Sequence, residues 1–164
     1  MERKRPGYHL AELNVAHLVA PTDDPRVADF MENLDRINGL GKRMPGFVWM
    51  MEGSGAPGTG NTENNIGDDP LYVANLTVWE DADTLGNFVW NTVHRQFYDR
   101  RQDWFEVAQQ AHFVMWWVPA GHRPTLQEAL ARLDHLRAHG DTETAFGWSA
   151  LPGNWASHQC HAAE

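Results

Sequence analysis

Apolar and polar residues alternate over residues 8–16, YHLAELNVA, with His9, Ala11, Leu13 and Val15 on one side and Leu10, Glu12 and Asn14 on the other. A period of two predicts a first strand. APTDDPR then reads as a turn, in which Asp23 or Asp24 caps a helix with Pro25 in its first turn. Val27, Phe30, Leu34 and Ile37 recur at helical spacing, and Asn38-Gly39 and Gly41 predict the end of that helix. After a Pro45-Gly46 turn, FVWMM (47–51) predicts a second strand.

Residues 52–70, EGSGAPGTGNTENNIGDDP, hold five glycines and almost no apolar side chains. Such a stretch is either an ordinary surface loop or a mobile lid over a pocket. No Gly-Lys-Ser/Thr follows, so it is no phosphate loop. LYVANLTVWE (71–80) is the clearest strand. Tyr72, Ala74, Leu76 and Val78 form one face, and Leu71, Val73, Asn75, Thr77 and Trp79 the other. Helical patterns return over 81–90 and 95–109, with His94 at their junction. AHFVMWWVP predicts a fourth strand that stops at Pro119, and it places the adjacent Trp116 and Trp117 on opposite faces. Thr125 and Glu128 have the spacing of a capping box, ahead of a stripe of Leu126, Ala129, Leu130, Leu133 and Leu136 that stops at Gly140. TAFGW (144–148) reads as a short last strand, and 150–164 as a loose tail. The order is β-α-β-β-α-β with an extra C-terminal helix, the ferredoxin-like α+β unit.

At 164 residues the chain is expected to form one domain. Eight tryptophans are several times the usual share, which suits a pocket or an interface lined by indoles. The formal net charge of −9 argues against nucleic acid or an anionic membrane as partner. No apolar run reaches the length of a membrane span, no hydrophobic signal region follows the basic Arg3-Lys4-Arg5, and the one cysteine, Cys160, allows no internal disulfide. These features lead to the expectation of a cytoplasmic protein. Ser/His hydrolase elbows, His-Glu-x-x-His pairs and dinucleotide fingerprints are absent. His158, Cys160 and His161 are close in sequence but lack further ligands at zinc spacing, so no metal is expected.

The runs WWVPAGHRPTLQEALARLDHLRAHG (116–140), HRQFYDRRQDWF (94–105) and DRINGL…PGFVW (35–40 and 45–49) resemble a bacterial family known only as a domain of unknown function. That family is grouped with the dimeric α+β barrels, beside the antibiotic-biosynthesis monooxygenase-like proteins. The resemblance spans about 8–148, and the glycine-rich 53–67 and the tail after Trp148 depart from it. It implies a homodimer whose helices cover one sheet face, while the other face lines a barrel closed by the second subunit. It also implies small-molecule chemistry, either free of cofactor on phenolic or polyketide-like substrates or with haem held by a histidine.

With the apolar set facing the helices, the cavity face collects Glu12, Asn14, Trp49, Asn75, Thr77 and Trp79, and one of Trp116 and Trp117 joins them. Buried amides and carboxyls must bond each other, water or a ligand. The set is therefore either an internal polar network or a pocket for a flat, largely apolar molecule with a few polar handles. His94 shares a helical face with Asn91, Tyr98 and Arg101. It is read as a general acid/base, a haem ligand, or a residue that caps a helix break through a backbone carbonyl. His122 reads as structural, in the turn before the last helix.

The leading expectation is an enzyme that oxygenates, cyclises or isomerises a hydrophobic or aromatic substrate without a cofactor. His94 is its acid/base, Asn14 and Asn75 hold polar groups, and Glu12, Trp49, Thr77, Trp79, Tyr98, Arg101 and Trp117 bind the substrate. Two other readings remain open: a haem enzyme with His94 as axial ligand, and a non-catalytic ligand-binding module with the glycine-rich loop as lid.

Overall fold

The computed structural model describes residues 1–153. Its strands are β1 (Tyr8–His17), β2 (Phe47–Met50), β3 (Asn65–Ile66), β4 (Asp69–Trp79) and β5 (Phe113–Pro119). Its helices are α1 (Ala28–Arg43), α2 (Ala82–Asn91), α3 (His94–Asp99) and α4 (Leu126–His139). The sheet is antiparallel throughout, in the order β2-β4-β1-β5, with the short β3 paired to the start of β4. Leaving β3 aside, this is the ferredoxin-like β-α-β-β-α-β order followed by the expected extra helix.

Each sheet face has its own cover. Ala11, Leu13, Val15, Ala74, Leu76, Val78, Val114, Trp116 and Val118 pack with Ala129, Leu133 and Leu136 of α4. Leu10, Trp79, Met115 and Trp117 pack on the other face with Leu85 and Phe88 of α2, with Ile37 and Leu40 of α1 and with Met44 just after it. This separates the two adjacent indoles: Trp116 lies under α4 and Trp117 under α1 and α2. It also reverses the expected sidedness. The polar set of β1 and β4 lies beneath the α1–α2 layer, and the apolar set is covered within one chain by α4. Each fully buried aliphatic side chain of that second layer contributes about 1.5–3 kcal/mol.

Several elements differ from the sequence expectation. α1 runs through Asn38, Gly39 and Gly41 to Arg43. A Cβ at Gly41 would meet Phe88 Cζ at 3.1 Å, so this glycine serves the approach of α2 rather than ending α1. The stretch 95–109 is helical only to Asp99, with one further turn at Arg101–Asp103. Strand β3 arises inside the segment read as loop, and β4 begins at Asp69. The 144–148 segment makes only isolated bridges, Ala145 with Thr142 and Phe146 with Met115, and in the second Phe146 exchanges both backbone hydrogen bonds with Met115. At α4 the Thr125 hydroxyl accepts the Glu128 N–H, but the Glu128 carboxylate turns away to the His122 ring at 2.8 Å and to the Trp116 indole N–H at 3.4 Å. The reciprocal half of the capping box is therefore missing, and His122 has the structural place read for it.

Gly46 shows how tightly β2 meets α2. Its φ is +84°, and a Cβ there would sit 2.3 Å from Thr84 Cγ2. Thr84 forms the capping box of α2 with Asp81. Gly46→Ala is expected to cost about 2–4 kcal/mol in urea unfolding, because it combines left-handed strain with a clash at a helix cap. Gly7→Ala, at φ +78° with open space around it, is expected to cost no more than about 2 kcal/mol.

Candidate functional site

Strand register assembles the site. Leu10 faces Trp79 on one side and Trp117 on the other; Glu12 faces Thr77 and Met115; Asn14 faces Asn75 and Phe113. Alternation sends all nine side chains to the face beneath α1 and α2. Glu12, on the inner strand β1, is 4% exposed.

Its hydrogen bonds form a directed chain. The Trp79 indole N–H donates to Thr77 Oγ1 at 2.9 Å, and the Thr77 hydroxyl donates to Glu12 Oε1 at 2.6 Å. An indole nitrogen only donates, so Thr77 Oγ1 must accept from it, and its own hydrogen is left for Glu12. Asn14 Nδ2 reaches the second carboxyl oxygen, Oε2, at 3.4 Å. Oε1 is thus held as an acceptor, and Oε2 is the oxygen on which a proton can come and go. Burial pushes the Glu12 carboxyl up to about 7, against the lowering effect of the Thr77 and Asn14 bonds.

Asn75 stands across from Asn14, and its buried Oδ1 has no partner among the described residues; the same holds for the Trp117 indole N–H. Aromatic rings close the rest of the face. Phe88 stacks on Trp79 at 5.4 Å, and Phe47 meets the same indole edge-on at 5.5 Å. Trp148 stacks on Phe113 at 5.6 Å and meets Trp90, which in turn meets Tyr98 at 5.0 Å. Arg101 lies over the Tyr98 ring at 4.3 Å, and burial raises the Tyr98 phenol. Tyr98 and Arg101 therefore connect to the sheet through this aromatic series.

His94 occupies the break between α2 and α3. Its Nδ1 lies 3.2 Å from the Val89 carbonyl, so Nδ1–H donates, and burial lowers its pKa, which keeps the ring neutral. This is the helix-break arrangement read as one of its three roles. The contacts from His94 to Glu12 run through Phe88, 4.8 Å from the imidazole, and then through Trp79. An axial role would fall to Nε2, the ring nitrogen that does not face Val89, but the arginines that follow His94 in the chain do not fit haem propionates. Arg95 is paired with Asp99, Arg100 with Asp29 and Asp103, and Arg101 with the Tyr98 ring and carbonyl. Among the described residues no three His, Cys, Asp or Glu side chains gather as a metal site. His158, Cys160 and His161 lie outside the described residues.

Trp49 does not join the site. The register of β2 against β4 shifts between Phe47 and Trp49, because Phe47 pairs with Trp79 and Trp49 with Val78. This bulge at Val48 puts Phe47 with the Glu12 face and turns Trp49 to the other. Trp49 helps to line an open depression of about 460 Å³ along the outer edge of β2, with Lys42, Met51 and Glu52. Sequence reading missed Phe88, Phe113, Trp90 and Trp148. The helical spacing of Leu85 and Phe88 and the alternation of Phe113, Met115 and Trp117 were the available signals.

The glycine-rich loop is docked. Asp35 Oδ2 accepts the Gly58 N–H at 2.6 Å, and Asn61 Nδ2 donates to the Ala74 carbonyl at 3.4 Å. Gly60 lies against α1, where a Cβ would sit 3.2 Å from Leu34 Cβ. The loop thereby spans α1 and the β4 edge beside Asn75.

The raised Glu12 value fixes a sign. Between its ordinary value of 4.5 and about 7, the native chain holds a proton that the unfolded chain has lost. Stability contributed by this residue is full below 4.5 and falls as pH rises through 7, by about 3 kcal/mol. Glu12→Gln is expected to flatten this part of the profile. Relative to the unsubstituted chain, it should be more stable at pH 8 than at pH 5 in urea unfolding; equal differences at both values would contradict the assignment.

No curated protein matches the chain. Among solved structures, PA3566 from Pseudomonas aeruginosa aligns with TM-score 0.47 and 11% identity over 72% of this chain and 99% of its own. SnoaB, a cofactor-independent oxygenase from Streptomyces nogalater, aligns with TM-score 0.44 and 16% identity over 73% and 98%. Residues 9–160 match the family described as a domain of unknown function (DUF3291), and the chain belongs to that family.

Proposed function

We propose that this protein is a small-molecule enzyme that moves a proton to or from a flat, mainly apolar ligand held between the sheet and the α1–α2 layer. The observation that carries the reading is the Trp79–Thr77–Glu12 chain, which keeps one carboxyl oxygen hydrogen-bonded and leaves the other able to exchange a proton. A general acid or base works best when its pKa lies near the operating pH, and Glu12 stands at about 7. Glu12 exchanges the proton, Asn14 and Asn75 hold polar groups, and Trp79, Trp117 and Phe88 form apolar walls. His94 backs that wall through Phe88 and fixes the α2–α3 break. Tyr98 and Arg101 close the aromatic side. The working unit is a homodimer in this proposal, and neither nucleic acid nor membrane is its partner. The acidic balance of −9 supports the second point. No helix among the described residues is long and apolar enough to cross a membrane.

Quenching of tryptophan fluorescence by 2-naphthol tests the pocket. Binding is expected in the unsubstituted chain, about tenfold weaker in Thr77→Val and Glu12→Leu, an effect of about 1.4 kcal/mol. His139→Ala, at the exposed end of α4, should leave it unchanged. Failure of 2-naphthol and a panel of other bicyclic phenols and ketones to quench, or an equal loss in all three variants, would overturn the reading.

A further inference from the structure

The Trp117 indole N–H is the feature that the proposed function does not use. Trp117 is 7% exposed, and its Nε1 is buried without a partner among the described residues. Leaving a buried donor unmatched costs about 1–3 kcal/mol, and folded proteins rarely tolerate it without a reason. An indole nitrogen can only donate, so whatever completes this position is an acceptor. Trp117 is paired with Leu10, two residues along β1 from Glu12. Strand geometry separates the two Cα atoms by roughly 8 Å on one face, and both side chains project beneath the same helical layer. A donor without a partner and a carboxyl able to take a proton thus flank one apolar stretch.

We propose that Trp117 is the oxyanion donor of this site, and that the reaction it serves is enolisation of a ketone on a flat apolar ligand. The inference rests on the proton-transfer reading of Glu12. The ligand carbonyl oxygen accepts the Trp117 N–H. Glu12 Oε2, as carboxylate, takes a proton from the carbon next to the carbonyl. The electron pair of the broken C–H bond becomes the new C=C bond, and the carbonyl π pair moves onto oxygen. The products are an enolate bound to Trp117 and a protonated Glu12, and return of the proton to carbon or oxygen completes a keto–enol interconversion. No oxidant or further reactant enters. A donor fixed in a water-poor site strengthens its bond as charge develops on the oxygen, which is the condition for accelerating the step.

The test is hydrogen–deuterium exchange at the α carbons of 2-tetralone in D₂O, followed by proton NMR, with binding of the same probe measured by fluorescence quenching. The unsubstituted protein is expected to exchange the probe well above buffer, Glu12→Gln to fall to the buffer rate, and Trp117→Phe to lose about 100-fold with circular dichroism unchanged. Should Trp117→Phe not fold, the ¹H–¹⁵N resonance of the Trp117 indole in the unsubstituted protein gives the same information. It is expected to move downfield when 2-tetralone binds. Binding without exchange, exchange unaffected by Trp117→Phe, or an indole resonance that stays in place overturns the enolisation proposal and leaves the pocket standing. Absence of binding by 2-tetralone and by every other bicyclic probe removes both.

Discussion

One carboxyl group buried at the interface of sheet and helices organises this molecule. A carboxylate far from water is costly unless it is bonded or neutralised, and Glu12 meets that cost in both ways. Thr77 donates to one oxygen, with its hydroxyl direction set by Trp79, and burial raises the affinity for a proton on the other. Trp79 is in turn held by Phe88 and Phe47. The packing of α2 and the bulge in β2 thereby fix the orientation of a hydroxyl two residues away.

The two sheet faces divide the work of the fold. The α4 face is continuous aliphatic packing with Trp116 fully buried, and it supplies stability without titratable groups in its core. The α1–α2 face contains the polar strip Thr77, Glu12, Asn14 and Asn75 between an aromatic cluster and a second cluster built on Leu18, Val27, Val73 and Trp104. Because α4 satisfies the opposite face, the polar strip can carry a carboxyl and unmatched hydrogen-bonding atoms at tolerable cost. The loop over Gly58, Gly60 and Asn61 seals the flank of that layer beside Asn75.

Much of this was legible in the residue pattern. Alternation in YHLAELNVA and LYVANLTVWE placed Glu12, Asn14, Asn75, Thr77 and Trp79 on common faces, and the separation of Trp116 from Trp117 followed from the same periodicity. The choice of face was not legible. Alternation tells which residues share a side but not which helix covers it: the Glu12 side, expected to face a second subunit, lies beneath α1 and α2, and α4 covers the other side. Trp49 was misplaced because a bulge breaks the period of two at Val48, and a bulge leaves no mark in composition. α1 outran its expected end because Gly41 answers to Phe88, a contact distant in sequence. The proposal of Glu12 as the proton-exchanging group rests on burial and hydrogen-bond direction, which only the folded arrangement defines.

Membership of the DUF3291 family gives the chain its relatives, and its chemistry has to be argued from Glu12 outward. The most direct measurement is a ¹³C NMR titration of the Glu12 side-chain carboxyl in selectively labelled protein. The account predicts a midpoint near 7, moving higher in Thr77→Val, where a bond favouring the carboxylate is lost. A midpoint near the ordinary 4.5 would mean a solvated carboxylate, and the proton-exchange site described here would not exist.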